Sequence, residues 1–387
     1  MEKAPLAVCA RILMVLLTTS CSPDPDVVVA KGGTLMTECP AQLTSRWISD
    51  AGFILTAEYG RRAGEELGNY VRQMAAAGDS VLYVYDIESS RIVILTAELN
   101  YVSDFGRRGS GPGELAWQSI TGGQQIGVVG EHVAVHDLRA VQLFGSDGSF
   151  VAFHPAVAAN MSLLSREIVA FAGGEDSLRL IRRQARPDTV YSLEYLVATV
   201  DSLTQHAMLH GAQVPVTPQG WRVWTGLPRQ ARPIGTLHGA CAYMQDGGAG
   251  PLVRHNAVTG LRDSIYLPTM DVPSVSPAER AHVRAGAQRF NVDMGNLVPT
   301  ELTRWIDIKV DPDGHIWLRA WMPSWDEVAA VVISPSTGEH ITVALPGFPI
   351  AFGPPGSFFT VLTDQVTAIR YLARVEAVPP ESYEVRQ

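Results

Sequence analysis

From Arg46 onward, short apolar runs alternate with polar turns, and the runs are too brief for helices. Val81-Leu82-Tyr83-Val84-Tyr85-Asp86 and Arg91-Ile92-Val93-Ile94-Leu95 are rich in β-branched and aromatic residues, and Gly78-Asp79-Ser80 precedes them as a turn. The unit returns at residues 130–137, 141–144, 145–148 and 150–153. A third copy runs from 166–171 to 189–193, and a longer fourth takes in 239–244, 252–255 and 262–267. The fifth is the clearest. Residues 306–310 read as a strand, Asp311-Pro312-Asp313-Gly314 as a turn, and His315-Ile316-Trp317-Leu318-Arg319 as the next strand. Residues 328–333, a turn at 335–338 and 341–345 complete it. The sixth copy runs from Ile350 through 358–362 to 368–372.

Strand–turn–strand modules recurring every ~40–50 residues predict an all-β fold of the β-propeller type, one module per blade. Six copies are legible, so six blades are expected. Seven is the alternative, because the span from 45 to 377 has room for seven at ~40–45 residues each. Residues 200–232 read as one irregular segment. Residues 273–300 read as a partly helical insertion, since Ser276-Pro277-Ala278-Glu279 has a capping Ser, Pro at the first helical position and Glu three residues on from the cap. An open ring would leave unpaired strand edges at both ends. Phe53-Ile54-Leu55-Thr56 and residues 368–372, with Val375, are therefore expected in one blade, so that N- and C-terminal strands close it.

The N-terminus reads differently. Lys3 and Arg11 precede a short apolar run at 12–17, then Thr18-Thr19-Ser20-Cys21 and Ser22-Pro23-Asp24-Pro25. A basic start, an apolar stretch and small residues mark an export signal. Residues 1–20 are expected to be removed, Cys21 to be lipidated, 21–44 to form a tether, and 378–387 to be a polar tail. No later run reaches the ~18 consecutive apolar residues of a spanning helix, so membrane contact is expected only through the anchor.

Formal net charge is −9 and the pI is near 5.6, which argues against a nucleic-acid partner. With Cys21 acylated, Cys39 and Cys241 remain as an even pair in an oxidising compartment. They are either bonded to each other or two isolated buried thiols.

The stretch that stands out is Phe105-Gly106-Arg107-Arg108-Gly109-Ser110-Gly111-Pro112-Gly113-Glu114-Leu115. Four glycines and a proline exclude a helix or strand interior. It is not a phosphate cradle of the dinucleotide type, because Glu114 stands where glycine is required and Pro112 has no N–H to offer. Arg107, Arg108 and Glu114 are the candidate ligand contacts on this loop. Residues 106–115, and secondarily 311–317, resemble the six-bladed β-propeller lipoproteins of Gram-negative bacteria, relatives of the NHL-repeat propellers. That resemblance implies a six-bladed fold and export, and implies no particular activity.

Other constellations are weaker. His132 and His136 would lie ~13 Å apart on a strand, too far to share an ion. His206 and His210 have the same spacing without an evident third ligand, and Asp311 with Asp313 lacks the rest of a calcium loop. Trp321 and Trp325 are either blade packing or an exposed contact surface. No nucleophile elbow, zinc-protease helix or P-loop is present. No metal or cofactor is assigned. The reading is a monomeric, exported propeller, lipid-anchored at the outer membrane and facing the periplasm or cell exterior, that binds a protein, peptide or glycan. The alternative is a metal-dependent lactonase- or lyase-like propeller enzyme.

Overall fold

The computed structural model describes residues 52–61, 67–68, 71–115, 124–137, 140–154, 166–174, 177–185, 190–198, 203–213, 233–248, 250–269, 276–288, 305–320, 328–364 and 366–378. Cys21, Cys39, Trp321 and Trp325 lie outside them.

Apart from β1, which pairs with the last strand, and one parallel contact between β6 and β10, the described strands are antiparallel neighbours in chain order. After β1 (Gly52–Tyr59), the first sheet is β2 (Val71–Ala77), β3 (Val81–Asp86), β4 (Arg91–Thr96) and β5 (Tyr101–Phe105). An eight-stranded sheet follows. One half is β6 (Gln125–Val129), β7 (His132–His136), β8 (Val141–Phe144) and β9 (Phe150–His154). The other is β10 (Arg166–Gly174), β11 (Ser177–Ala185), β12 (Val190–Ala198) and β13 (Leu203–Gln213). Among the described residues, the halves pair as strands at one position, the parallel pair Gly173–Val129. The next four-stranded sheet is β14 (Ile234–His238), β15 (Cys241–Gln245), β16 (Leu252–Asn256) and β17 (Arg262–Ile265). The helix α1 (Pro277–Gln288) then precedes β18 (Trp305–Val310), β19 (Ile316–Ala320), β20 (Val328–Ile333) and β21 (His340–Leu345). The last sheet holds β22 (Ala351–Phe352), β23 (Ser357–Thr363) and β24 (Arg370–Val378), with β1 as its outer strand.

The sheets are arranged as a β-propeller, and burial shows why the sequence reads as it does. Second strands such as β3, with every residue after Val81 buried, are apolar on both faces because each sheet packs on a neighbour at either side. Outer strands such as β5 and β21 alternate or face solvent. The junctions are filled in turn. Tyr83, Ile92, Leu115 and Phe144 lie between the first sheet and β6–β9. Val129, Leu178 and Leu196 lie between the halves of the eight-stranded sheet. Ile181, Tyr195 and Met244 face one another across β10–β13 and β14–β17. Tyr243, Leu252, Trp305 and Leu318 fill the next junction, and Trp317, Val332, Phe358 and Val375 the one after. Tyr59, Leu95, Phe359 and Leu372 then connect the last sheet back to the first.

β1 pairs with β24 from Gly52–Val378 to Tyr59–Leu372, with a bulge between Leu55 and Ala57. The expected sharing of one sheet by the two chain ends is thus observed. β24 reaches Val378, one residue into the segment read as tail. The segment read as irregular contains β13, the longest described strand at 11 residues. Its Thr204, Gln205 and His206 are exposed, so it lacks the apolar run that marks inner strands. Helix α1 starts at Pro277, where the capping signal placed it, with Arg280 N–H donating to the Ser276 carbonyl at 3.0 Å.

Candidate functional site

The glycine loop connects β5 to β6 and is closed by its own glutamate. Gly106 and Gly113 sit at φ +81° and +75°, in the left-handed region that a side chain disfavours. These two reversals fold the loop so that Leu115 N–H donates to the Arg107 carbonyl at 2.8 Å, while the Leu115 side chain is fully buried in the junction below. Glu114 then turns back. Its Oε2 accepts the amides of Ser110 (2.9 Å) and Gly111 (2.8 Å), and its Oε1 accepts Arg107 Nε at 3.0 Å. A Cβ on Gly109 would run into this carboxylate, which is why glycine stands there. The Gly111 and Ser110 amides, in that order, and then Arg107 hold the Glu114 carboxyl below its usual range. The amide nest that could have bound an external anion therefore holds an internal one.

Gln142 on β8 fastens the loop from beneath. This fully buried side chain accepts from Gly113 N–H at 3.1 Å and donates to the Glu114 carbonyl at 2.8 Å and to Asp137 Oδ2 at 3.3 Å. Of the three loop residues singled out from sequence, Glu114 and Arg107 are an ion pair with each other. Arg107 is 80% exposed, and Arg108 is exposed beside it.

A second pattern escaped the sequence reading. In four sheets an aspartate at the end of the second strand, or one residue past it, caps the following turn. Asp86 accepts Ser89 N–H at 3.3 Å, Asp137 accepts Ala140 N–H at 3.2 Å, and Asp246 accepts Gly248 N–H at 2.7 Å. Asp364 accepts Val366 and Thr367 N–H at 3.0 and 2.9 Å. Bonds from Thr367 and Val366, with a smaller contribution from Arg61, lower the Asp364 carboxyl to about 2. The signal was available in the recurrence of Asp after an apolar run: Val84-Tyr85-Asp86, Val135-His136-Asp137 and Leu362-Thr363-Asp364.

The Asp311 turn does the same at the opposite end of β19. Asp311 is 1% exposed. Its Oδ1 accepts His315 N–H at 2.8 Å, and its Oδ2 accepts Trp317 Nε1 at 3.0 Å and His315 Nδ1 at 2.9 Å. The carboxylate requires the proton of that imidazole to sit on Nδ1. Gly314, at φ +91°, makes the reversal. Asp311, Asp313 and His315 bring ligand atoms within 4.8 Å of one another, the one such group of three among the described residues. His238, on the neighbouring sheet, is held below its ordinary value by burial, against an opposing pull from Asp311. As a metal site the group is poor. Asp311 already has amide, indole and imidazole donors, and Asp313 is exposed.

The histidine pairs separate as their spacing requires. His132 and His136 end β7, with His136 buried. His206 and His210 lie on β13 across a bulge between Tyr195 and Leu196 of the partner strand. Cys241 is buried at the start of β15 and is disulfide-bonded.

No family model matches the chain, and no curated protein matches it in sequence. In structure it is similar to a candidate exported protein of Bacteroides fragilis, with a TM-score of 0.51 at 10% identity over 90% of this chain and 99% of that one. It is also similar to a DUF4221 member from Bacteroides vulgatus, with a TM-score of 0.49 at 10% identity over 85% and 99% of the two chains. Regucalcin, a calcium-binding protein from Agrobacterium tumefaciens, gives a TM-score of 0.40 at 11% identity over 84% and 95%. Likeness this distant speaks to the fold alone.

Proposed function

We propose that the protein is an exported β-propeller of six blades acting as a binding module. The eight-stranded sheet counts as two blades, because a single residue pair holds its halves together while a packed apolar junction separates them. Strand β1 then completes the blade that β24 ends. Export is supported by the N-terminal pattern and by the likeness to a candidate exported protein. Cys21 is the proposed lipid anchor, to the outer membrane. Cys39 is the proposed partner of Cys241, since Cys9 falls in the signal and Cys21 is acylated. The ligand class is a protein, peptide or glycan, with Arg107 and Arg108 as proposed contacts and Glu114 positioning Arg107.

The observation that carries the binding reading is the use made of the carboxylates. The strand-end carboxylates Asp86, Asp137, Asp246, Asp311 and Asp364 cap turns, accepting backbone amides rather than converging on a metal. The group Asp311, Asp313 and His315 is the specific observation favouring the second reading, a metal-dependent lactonase or lyase.

The export and anchoring part is tested by Cys21→Ala. Wild type is expected in the membrane fraction with a blocked, acylated N-terminus, and the variant as unlipidated precursor outside that fraction. A variant that still fractionates with membranes, beside a wild type with a free N-terminus, would overturn it.

A further inference from the structure

We propose that the junction between β10–β13 and β14–β17 holds an oxyanion-binding site, for sulfate or phosphate, built from Arg179, His206, His255 and Arg262 around the ring of Tyr195. The four side chains come from four strands, β11, β13, β16 and β17, and nothing in the linear sequence associates them. His255 is 7% exposed and its Nδ1 has no hydrogen-bond partner. Its ring meets Tyr195 edge-on at 5.8 Å, and the His206 ring lies 6.1 Å from the same tyrosine. Arg262 is the cross-strand neighbour of His255. Arg179 stands two residues from Ile181, the cross-strand partner of Tyr195, and so on the same side of the sheet. The Arg179 Nε is buried and also lacks a partner.

No described carboxylate neutralises this group. Glu194 is paired with Arg182 on the opposite face of its sheet, among the side chains packed on β6–β9. Asp263 is paired with Arg254, toward the β18–β21 sheet. Tyr195 donates its hydroxyl to the Ala240 carbonyl at 3.1 Å, and burial pushes that hydroxyl up to about 12, so it fixes the geometry without supplying charge. His255 is held below its ordinary value by burial first, then by His206 and Arg262. Buried donors without partners are costly, as His255 Nδ1 and Arg179 Nε are, while Arg262 and His206 stand exposed at the edge of the group. An anion seated among them satisfies the two buried donors, and arginine presents its forked donors to a tetrahedral oxyanion in the geometry that suits it. A chain with net charge −9 that gathers four such groups with no acid among the described residues beside them has the donor set of an anion site.

The pH dependence follows. His206 and His255 face the site from β13 and β16, with Arg179, Arg262 and the neutral Tyr195 from the remaining strands. A bound anion favours the imidazolium form of His255, which burial and its cationic neighbours otherwise disfavour, so a proton is taken up on binding. Affinity therefore increases as pH falls into the lowered range in which His255 takes up its proton.

The test is calorimetric titration of the mature chain with sodium sulfate and, separately, sodium phosphate, at matched ionic strength in chloride. Saturable one-to-one sulfate binding is expected, about tenfold tighter at about pH 5.5 than at about pH 8. Phosphate loses negative charge as pH falls over the same range, so its profile is expected to be flatter. Arg262→Gln, at an exposed position, should weaken both anions about tenfold, the loss of one charge-assisted bond. His255→Phe keeps a ring against Tyr195 and should remove most of the pH dependence. Arg284→Gln on α1 should change nothing. Absence of saturable binding at both pH values would overturn the proposal, and so would equal weakening by Arg262→Gln and Arg284→Gln.

Discussion

A chain lacking residues 21–59 is expected to aggregate or melt far below one lacking residues 21–51. Both truncations remove Cys39, so any bond between Cys39 and Cys241 is lost from both and the comparison isolates β1. The longer deletion removes Tyr59, which is 5% exposed in the junction with the first sheet. It also removes Phe53, whose ring lies 6.0 Å from that of Phe358 in the junction on the other side. Each buried large apolar side chain is worth about 1.5–3 kcal/mol. The ladder from Gly52–Val378 to Tyr59–Leu372 goes as well, leaving β24 an open edge ready to pair with another chain. A loss of about 5 kcal/mol or more is expected, against a total stability of about 5–15 kcal/mol. Thermal melting with light scattering reads both effects. Coincident melts for the two truncations would show that β1 does not hold the ring together.

Asp311→Ala is expected to be the most damaging single substitution at a turn, at about 3–5 kcal/mol. It strands the buried His315 amide, the His315 ring and the Trp317 indole N–H, and each buried orphan costs about 1–3 kcal/mol. Trp317 is fully buried, packed 5.7 Å from Phe352 and 6.1 Å from Phe358, so the indole cannot turn to water without opening that junction. Asp311→Asn should lose less, because it keeps one acceptor oxygen while setting an amide beside existing donors. Chemical denaturation of the three proteins orders them as wild type, Asn, Ala. An Ala variant within about 0.5 kcal/mol of wild type, the range of ordinary surface changes, would show that the carboxylate is not a structural lock.

What could be read from sequence was whatever repeats locally. Second strands such as residues 81–86 carry their burial on both faces in their composition, and Asp311-Pro312-Asp313-Gly314 writes its turn into the chain. Strand β13 was not legible, because an outer strand with exposed Thr204, Gln205 and His206 has no apolar run. The inward turn of Glu114 depends on left-handed backbone at Gly106 and Gly113, and sequence shows the glycines but not where they send the carboxylate. Pairs such as Arg182–Glu194 and Arg254–Asp263 bridge adjacent strands, so their partners emerge only with the register. The cationic group around Tyr195 needs the packing of one sheet on another.

If the acidic turns are structural and the proposed ligand binding needs no metal, the protein should neither carry nor depend on a metal ion. Elemental analysis of the purified mature chain, with melting recorded before and after chelation and after adding back calcium, manganese or zinc, tests it most directly. The account predicts no stoichiometric metal and superimposable melts in every case. One equivalent of tightly held metal, with a melt that falls on chelation and returns with the same ion, would contradict it and make Asp311, Asp313 and His315 a metal centre.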